Sequence, residues 1–148
     1  QHTLCKSVAY LQNKENLAGV NALDLYQEYQ RDVEKIKIDF LEFLLQMKRK
    51  GKKVIAYGAA AKGNTLLNFS GVHSDLLTYV VDKNPKKQGK LMPGSRIPIY
   101  SPDRINLDRP DCIVILPWNI KDEIIKQVKN MGKWEGKFVI PIPKLKII

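Results

Sequence analysis

The chain has 148 residues, with 25 Lys and Arg against 15 Asp and Glu, giving a formal net charge of +10. That length suits a single domain with a real core, and no apolar run approaches the roughly 20 residues of a membrane span. The two cysteines, Cys5 and Cys112, form no C-x-x-C pair and have no metal-ligand spacing, which excludes a disulfide framework or a zinc module and fits a reducing, cytoplasmic setting.

The positive balance favours anionic partners. The lysines are spread along the chain, not clustered with aromatics, so neither nucleic acid nor a membrane is expected as a partner. The first residue is Gln1, not Met, which reads as a piece of a longer chain.

Residues 3–12 read as a strand or an irregular arm. Over residues 24–50 the pattern is helical: Tyr26, Tyr29, Val33, Ile36, Phe40, Phe43 and Met47 recur at spacings of three and four, an apolar seam along one face. Lys48, Arg49 and Lys50 suit the negative end of the helix dipole, and Gly51 is a natural stop. Such a helix either packs on the following domain or pairs as a coiled coil.

After Gly51 strands and helices alternate. Residues 53–57 read as a first strand and 64–69 as a helix ended by Gly71. A second strand is expected over 76–82, followed by a flexible basic loop over 83–96. Residues 97–100 read as a third strand, at an edge because of Pro98. Residues 101–103 begin a short helical turn. The apolar run 112–116 reads as a central fourth strand. A helix capped by Asn119 runs to Asn130, and residues 137–142 form a fifth strand.

This alternation implies an α/β fold, a mostly parallel five-stranded sheet with helices on both faces, preceded by a long N-terminal helix. With strand order 3-2-1-4-5 the topology reverses between the first and fourth strands, and ligands are expected in the crevice at their C-terminal ends.

Two loops border that crevice. The first is Gly58, Ala59, Ala60, Ala61, Lys62, Gly63 and Asn64; the second is Pro117, Trp118 and Asn119. A strand, a small-residue turn and a helix start make an anion site, since backbone N–H groups point outward there and the helix dipole favours negative charge. The turn fits neither common template. Ala60 replaces the second glycine of G-x-G-x-x-G, and Lys62 precedes Gly63 where a Walker A lysine would follow it.

Lys62 can meet a phosphate as a point charge, and Trp118 offers a flat face for a base or sugar. Asn64 reads as a helix cap or a ligand contact. Asp82, roughly 20 residues beyond the turn, reads either as a ribose-binding acid or as an Asx turn with Asn84. Lys86, Lys87 and Lys90 are either loop charges that close over a diphosphate or plain surface. Around His2 and His73 there is no triad and no metal set, so no catalytic residue is assigned.

Four segments then occur in register: Tyr57-Gly-Ala-Ala-Ala-Lys-Gly-Asn-Thr65, Val81-Asp-Lys-Asn-Pro-Lys-Lys-Gln-Gly89, Met92-Pro-Gly-Ser-Arg-Ile-Pro-Ile99 and Leu116-Pro-Trp-Asn119. Together they resemble the C-terminal domain of sugar C-methyltransferases that use S-adenosylmethionine, from about residue 25 onward. The resemblance implies a Rossmann-like domain over 52–148, a linking helix over 24–51, and a tail of an upstream methyltransferase domain over 1–23.

It further implies an enzyme that methylates a carbon of a nucleotide-linked keto-deoxysugar, commonly linked to thymidine diphosphate. S-adenosylmethionine and the base belong to the upstream domain of the same chain. The present residues hold the nucleotide-sugar, bind no cofactor and are inactive alone. The readings left beside it are an NAD- or nucleotide-binding module of an oxidoreductase or sensor, and a nucleic-acid module driven by charge.

Overall fold

The computed structural model describes residues 6–132 and 134–148. His2, Cys5 and the start of the expected strand or arm lie outside them. The chain divides into two compact units, Gln1–Lys35 and Ile36–Ile148.

In the first unit, helix α1 (Lys6–Leu17) stands where residues 6–12 of the expected strand or arm fall. The stretch has no apolar period, and α1 buries no residue. Its Lys, Ala, Leu, Gln and Glu are good helix formers, so propensity decides where pattern is silent. Helix α2 (Leu23–Arg49) begins in this unit, where Tyr26 and Tyr29 are exposed.

The rest of α2 belongs to the second unit, and there Phe40, Phe43 and Leu44 are buried. The helix ends as its sequence dictates. Gly51 takes φ of 65°, its N–H donates to the Lys48 carbonyl at 3.0 Å, and the Lys52 N–H donates to the Met47 carbonyl at 2.9 Å. This pair of bonds satisfies the last carbonyls and needs a left-handed residue, which glycine supplies without strain.

The sheet is built from β1 (Val54–Tyr57), β2 (Val80–Val81), β3 (Ile99–Tyr100), β4 (Cys112–Ile115), β5 (Lys137–Ile140) and β6 (Lys146–Ile147), in spatial order β3-β2-β1-β4-β5-β6. All neighbours from β3 to β5 are parallel, and β6 adds antiparallel to β5. The order 3-2-1-4-5 considered above is the one observed, with a sixth strand that the sequence did not signal. Only two residues of β6 pair, and both are exposed, so it carries no burial pattern. β2 and β3 are likewise shorter than expected, and β3 lies at the edge, as Pro98 requires.

β1 and β4 are buried at every position because both sheet faces are covered. Alternate residues divide between two cores. Val54, Ala56, Val114 and Leu116 pack with Phe40, Phe43 and Leu44 of α2 and with Leu66 and Leu67 of α3 (Ala61–Ser70). Ile55, Tyr57, Ile113 and Ile115 pack with Ile105 of α4 (Arg104–Asp108) and with Ile124 and Val128 of α5 (Lys121–Asn130). The second half of α2 is therefore a structural layer of the domain, covering one face beside α3. The result is a Rossmann-like, doubly wound α/β sheet.

Candidate functional site

β2 and β4 flank β1 on opposite sides, so the reversal point opens above the C-terminal ends of β1 and β4. Gly58 leaves β1 with φ of 93° and donates its N–H to the Val81 carbonyl at 2.7 Å. A Cβ on Gly58 would stand 2.4 Å from Pro117 Cγ. The two loops therefore touch, and only glycine lets them.

The chain then turns sharply, with the Ala60 N–H donating to the Gly58 carbonyl at 2.9 Å. Helix α3 starts at Ala61, earlier than the expected Asn64. Ala60 stands at the cap position with extended backbone, and no side chain caps the helix. The Asn64 N–H already donates to the Ala60 carbonyl at 2.9 Å, so Asn64 is a helix residue, not a cap. The amides of residues 61–63 have no partner within the helix and face the loop side. Gly63 is buried, and a Cβ there would stand 2.5 Å from Leu116 Cβ, so α3 packs hard against the end of β4.

Lys62 lies in the first turn of α3. Its Nζ is 3.3 Å from Asn119 Oδ1 and 5.8 Å from the centre of the Trp118 ring. The second loop forms a single 3-10 turn, Trp118–Ile120, before α5. Asn119 is thus inside this turn and does not cap α5, whose cap position falls on Ile120. Trp118 is half-buried and Asn119 exposed. Lys62, Trp118 and Asn119 share one side of the molecule, at the β4 flank of the turn.

Asp82 sits at the other flank, 9% exposed. Its Oδ2 accepts the Ala59 N–H at 2.7 Å and the Lys87 ammonium at 3.1 Å, and its Oδ1 accepts the Asn84 N–H at 2.8 Å. Lys87 Nζ also donates to the Ala59 carbonyl at 2.8 Å. Of the two readings of Asp82, the Asx turn is present, and the carboxylate is committed to the protein's own backbone. Lys87 is an internal tie, not a free loop charge.

The segment 83–96 is anchored, in place of the flexible loop its composition suggests. The Gly89 N–H donates to the Ile99 carbonyl and the Ile99 N–H to the Lys90 carbonyl, both at 2.9 Å. Met92 is 1% exposed, and Asn68 Nδ2 donates to the Pro93 carbonyl at 3.0 Å. Between this segment and the start of α3 lies a cavity of about 370 Å³, whose lining includes Ala60, Asn64, Lys86, Lys87, Lys90 and Met92. The Asn64 Oδ1 is buried and has no hydrogen-bond partner among the described residues.

At the base of the site the Tyr57 hydroxyl takes a hydrogen bond from Gln127 Nε2. Burial raises the Tyr57 pKa, the hydrogen bond opposes the shift, and the hydroxyl stays protonated at neutral pH. Among the described residues, no three His, Cys, Asp or Glu side chains group as metal ligands. A larger cavity, about 700 Å³, lies at the N-terminal edge of the sheet among Phe43, Met47, Lys52, Asp111 and Trp134.

Comparison with known proteins decides the family. Residues 1–143 match the model of the C-methyltransferase C-terminal domain. The chain belongs to that family. It is 33% identical over 147 residues to the C-methyltransferase NovU of Streptomyces niveus, covering 99% of this chain and 35% of that protein. It therefore spans about a third of the length of this relative.

Two solved structures are distant likenesses. One is UDP-D-quinovosamine 4-dehydrogenase from Vibrio fischeri, at 22% identity and a TM-score of 0.47, over 66% of this chain and 93% of that one. The other is RSP, a Rex-family repressor, at 15% identity and a TM-score of 0.43, over 97% of this chain and 83% of that one.

Proposed function

We propose that this C-methyltransferase C-terminal domain holds a nucleotide-linked keto-deoxysugar, with thymidine diphosphate as the nucleotide. It presents the sugar to an upstream domain of the whole protein that binds S-adenosylmethionine and carries the base. The observation that carries this reading is the meeting of Lys62, Trp118 and Asn119 over the uncapped start of α3. A flat indole takes a base or sugar, an ammonium takes a phosphate, and backbone amides at a helix start favour anions.

Within this chain the residues bind and orient. S-adenosylmethionine, when bound upstream, supplies the methyl group. No side chain here is assigned to proton transfer, and residues 1–148 alone are proposed to be inactive. Orientation matters because a well-aligned reactant pair can recover roughly 7–11 kcal/mol of barrier.

A dinucleotide reading is disfavoured by Asp82. The acid that would hold a ribose diol is occupied by the Ala59 and Asn84 amides and by Lys87.

The test is a titration of thymidine diphosphate followed by amide NMR. Shifts are expected at residues 58–64 and at Trp118. No shift at millimolar ligand, or tighter binding of NAD than of thymidine diphosphate, sinks the reading.

A further inference from the structure

We infer that the diphosphate of the ligand seats in the cavity between the start of α3 and the segment 83–96, with Lys86 and Lys90 as its counter-charges. This rests on the nucleotide-sugar reading above and adds a place for the charge that Lys62 alone does not neutralise.

Every charged residue on the lining of the cavity is a lysine. Three lysines line it and no Asp or Glu does. The nearest acid, Asp82, is neutralised by Lys87 at 3.1 Å and covered by two backbone amides. Lys87 is thereby consumed. Lys86 and Lys90 are exposed and form no ion pair among the described residues. Two lysines without an ion pair among the described residues, on a lining that also includes Ala59, Ala60 and Ala61 at the start of α3, suit an anionic ligand. A neutral diol would gain nothing from them.

The cavity is also preformed. The backbone of Lys90 is tied to Ile99 and that of Gly89 to the same residue, while Asn68 clamps Pro93. A Cβ on Gly94 would stand 2.0 Å from Asn68 Oδ1, so the segment lies directly on α3. Two cations held on anchored backbone lose less entropy on binding than two on a loose lid. A volume of about 370 Å³ falls at the small end of ligand sites, which run roughly 300–1,000 Å³, and suits the charged middle of a nucleotide-sugar better than its whole. The nucleotide then crosses the turn, with its base on the Trp118 flank and its diphosphate on the lysine flank.

The experiment titrates thymidine, thymidine diphosphate and inorganic pyrophosphate into this chain and into Lys86→Gln/Lys90→Gln, following amide shifts. Both positions are exposed, so the double variant is expected to melt like the parent. Pyrophosphate and thymidine diphosphate should shift Lys86, Lys90 and residues 59–64. Thymidine should shift Trp118 only. The double variant should lose about tenfold or more in thymidine diphosphate affinity and leave the thymidine shifts unchanged.

Equal affinity of parent and double variant for thymidine diphosphate, or shifts at Trp118 with none at Lys86 and Lys90, overturns the assignment and leaves the nucleotide-sugar reading standing. Pyrophosphate shifts at the lysines without any nucleotide effect at Trp118 support the anion seat and overturn the reading it rests on. Silence with all three probes overturns both.

Discussion

The Asp82 carboxylate accepts the Ala59 amide at 2.7 Å, joining the end of β2 to the turn after β1. A buried carboxylate that takes two backbone N–H groups and an ammonium makes charge-assisted bonds, the stronger class. The shape of the turn therefore depends on a residue distant from it in sequence.

Replacing Asp82 with Ala is expected to cost about 2–3 kcal/mol of unfolding free energy, since it strands the Ala59 and Asn84 amides and leaves Lys87 one acceptor. Lys87→Met removes the more exposed partner and leaves the carboxylate its two backbone amides, so it should cost less than Asp82→Ala. Urea unfolding of both variants checks the order. A larger loss from Lys87→Met than from Asp82→Ala contradicts the network as described.

Gly63→Ala sets two effects against each other. Alanine is the better helix former by about 0.8–1.0 kcal/mol. Its Cβ would stand 2.5 Å from Leu116 Cβ, and overpacking typically costs about 1–3 kcal/mol. The clash is expected to win, so the variant should melt below the parent despite its higher helix propensity. A raised melting temperature would show that α3 can shift away from β4.

Lys62→Ala should separate binding from folding. Its contacts to Asn119 and Trp118 lie at an exposed edge, so stability should change by less than about 0.5 kcal/mol. Affinity for thymidine diphosphate should fall severalfold. Calorimetric titration beside a thermal melt reads both, and unchanged affinity removes Lys62 from the site.

Along α2 the same seam should behave differently at its two ends. Phe40 is fully buried, and Phe40→Ala is expected to cost about 3–5 kcal/mol. Tyr29 is 68% exposed, and Tyr29→Ala should fall within about 0.5 kcal/mol. Chemical denaturation of the two variants tests whether α2 is part of the sheet's cover only from its middle onward.

Acid should weaken the domain through two carboxylates held below their ordinary pKa. A side-chain hydrogen bond from Arg104 lowers Asp108, and hydrogen bonds from Lys52 and the Lys53 amide lower Asp111. A depressed folded-state pKa gives stability that is complete above the unfolded value, about 3.9, and is lost as pH falls through the folded one. The loss is expected below pH 4 and should be small, because both pairs face water and salt screens them. Unfolding free energy followed from pH 6 to pH 2 in Asp111→Asn and in the parent should converge at the acid end. A gap that widens on acidification would reverse the assignment.

Local pattern carried most of the fold. The 3-4 seam from Tyr26 to Met47, the apolar runs of β1 and β4, and Gly51 and Gly71 at helix ends each act within a few residues, so they are readable from spacing alone. Alternation and right-handed crossovers implied a parallel sheet, while its strand order was decided by the tertiary structure. The helix 6–17 and the strand 146–147 were not legible, because neither buries a face and so neither has a period to read.

The site was legible as two loops and no further. Small residues after β1 and an indole after β4 are sequence facts, and their junction follows from topology. Which charges are free and which are spent is set by distances between residues far apart in the chain. Tertiary structure alone turned Lys87 inward to Asp82 and Ala59, fixed the segment 83–96 on Asn68 and Ile99, and left Lys86 and Lys90 facing a cavity. A lysine's sequence neighbours give its charge, but only the fold decides whether that charge meets a carboxylate or is left for a ligand.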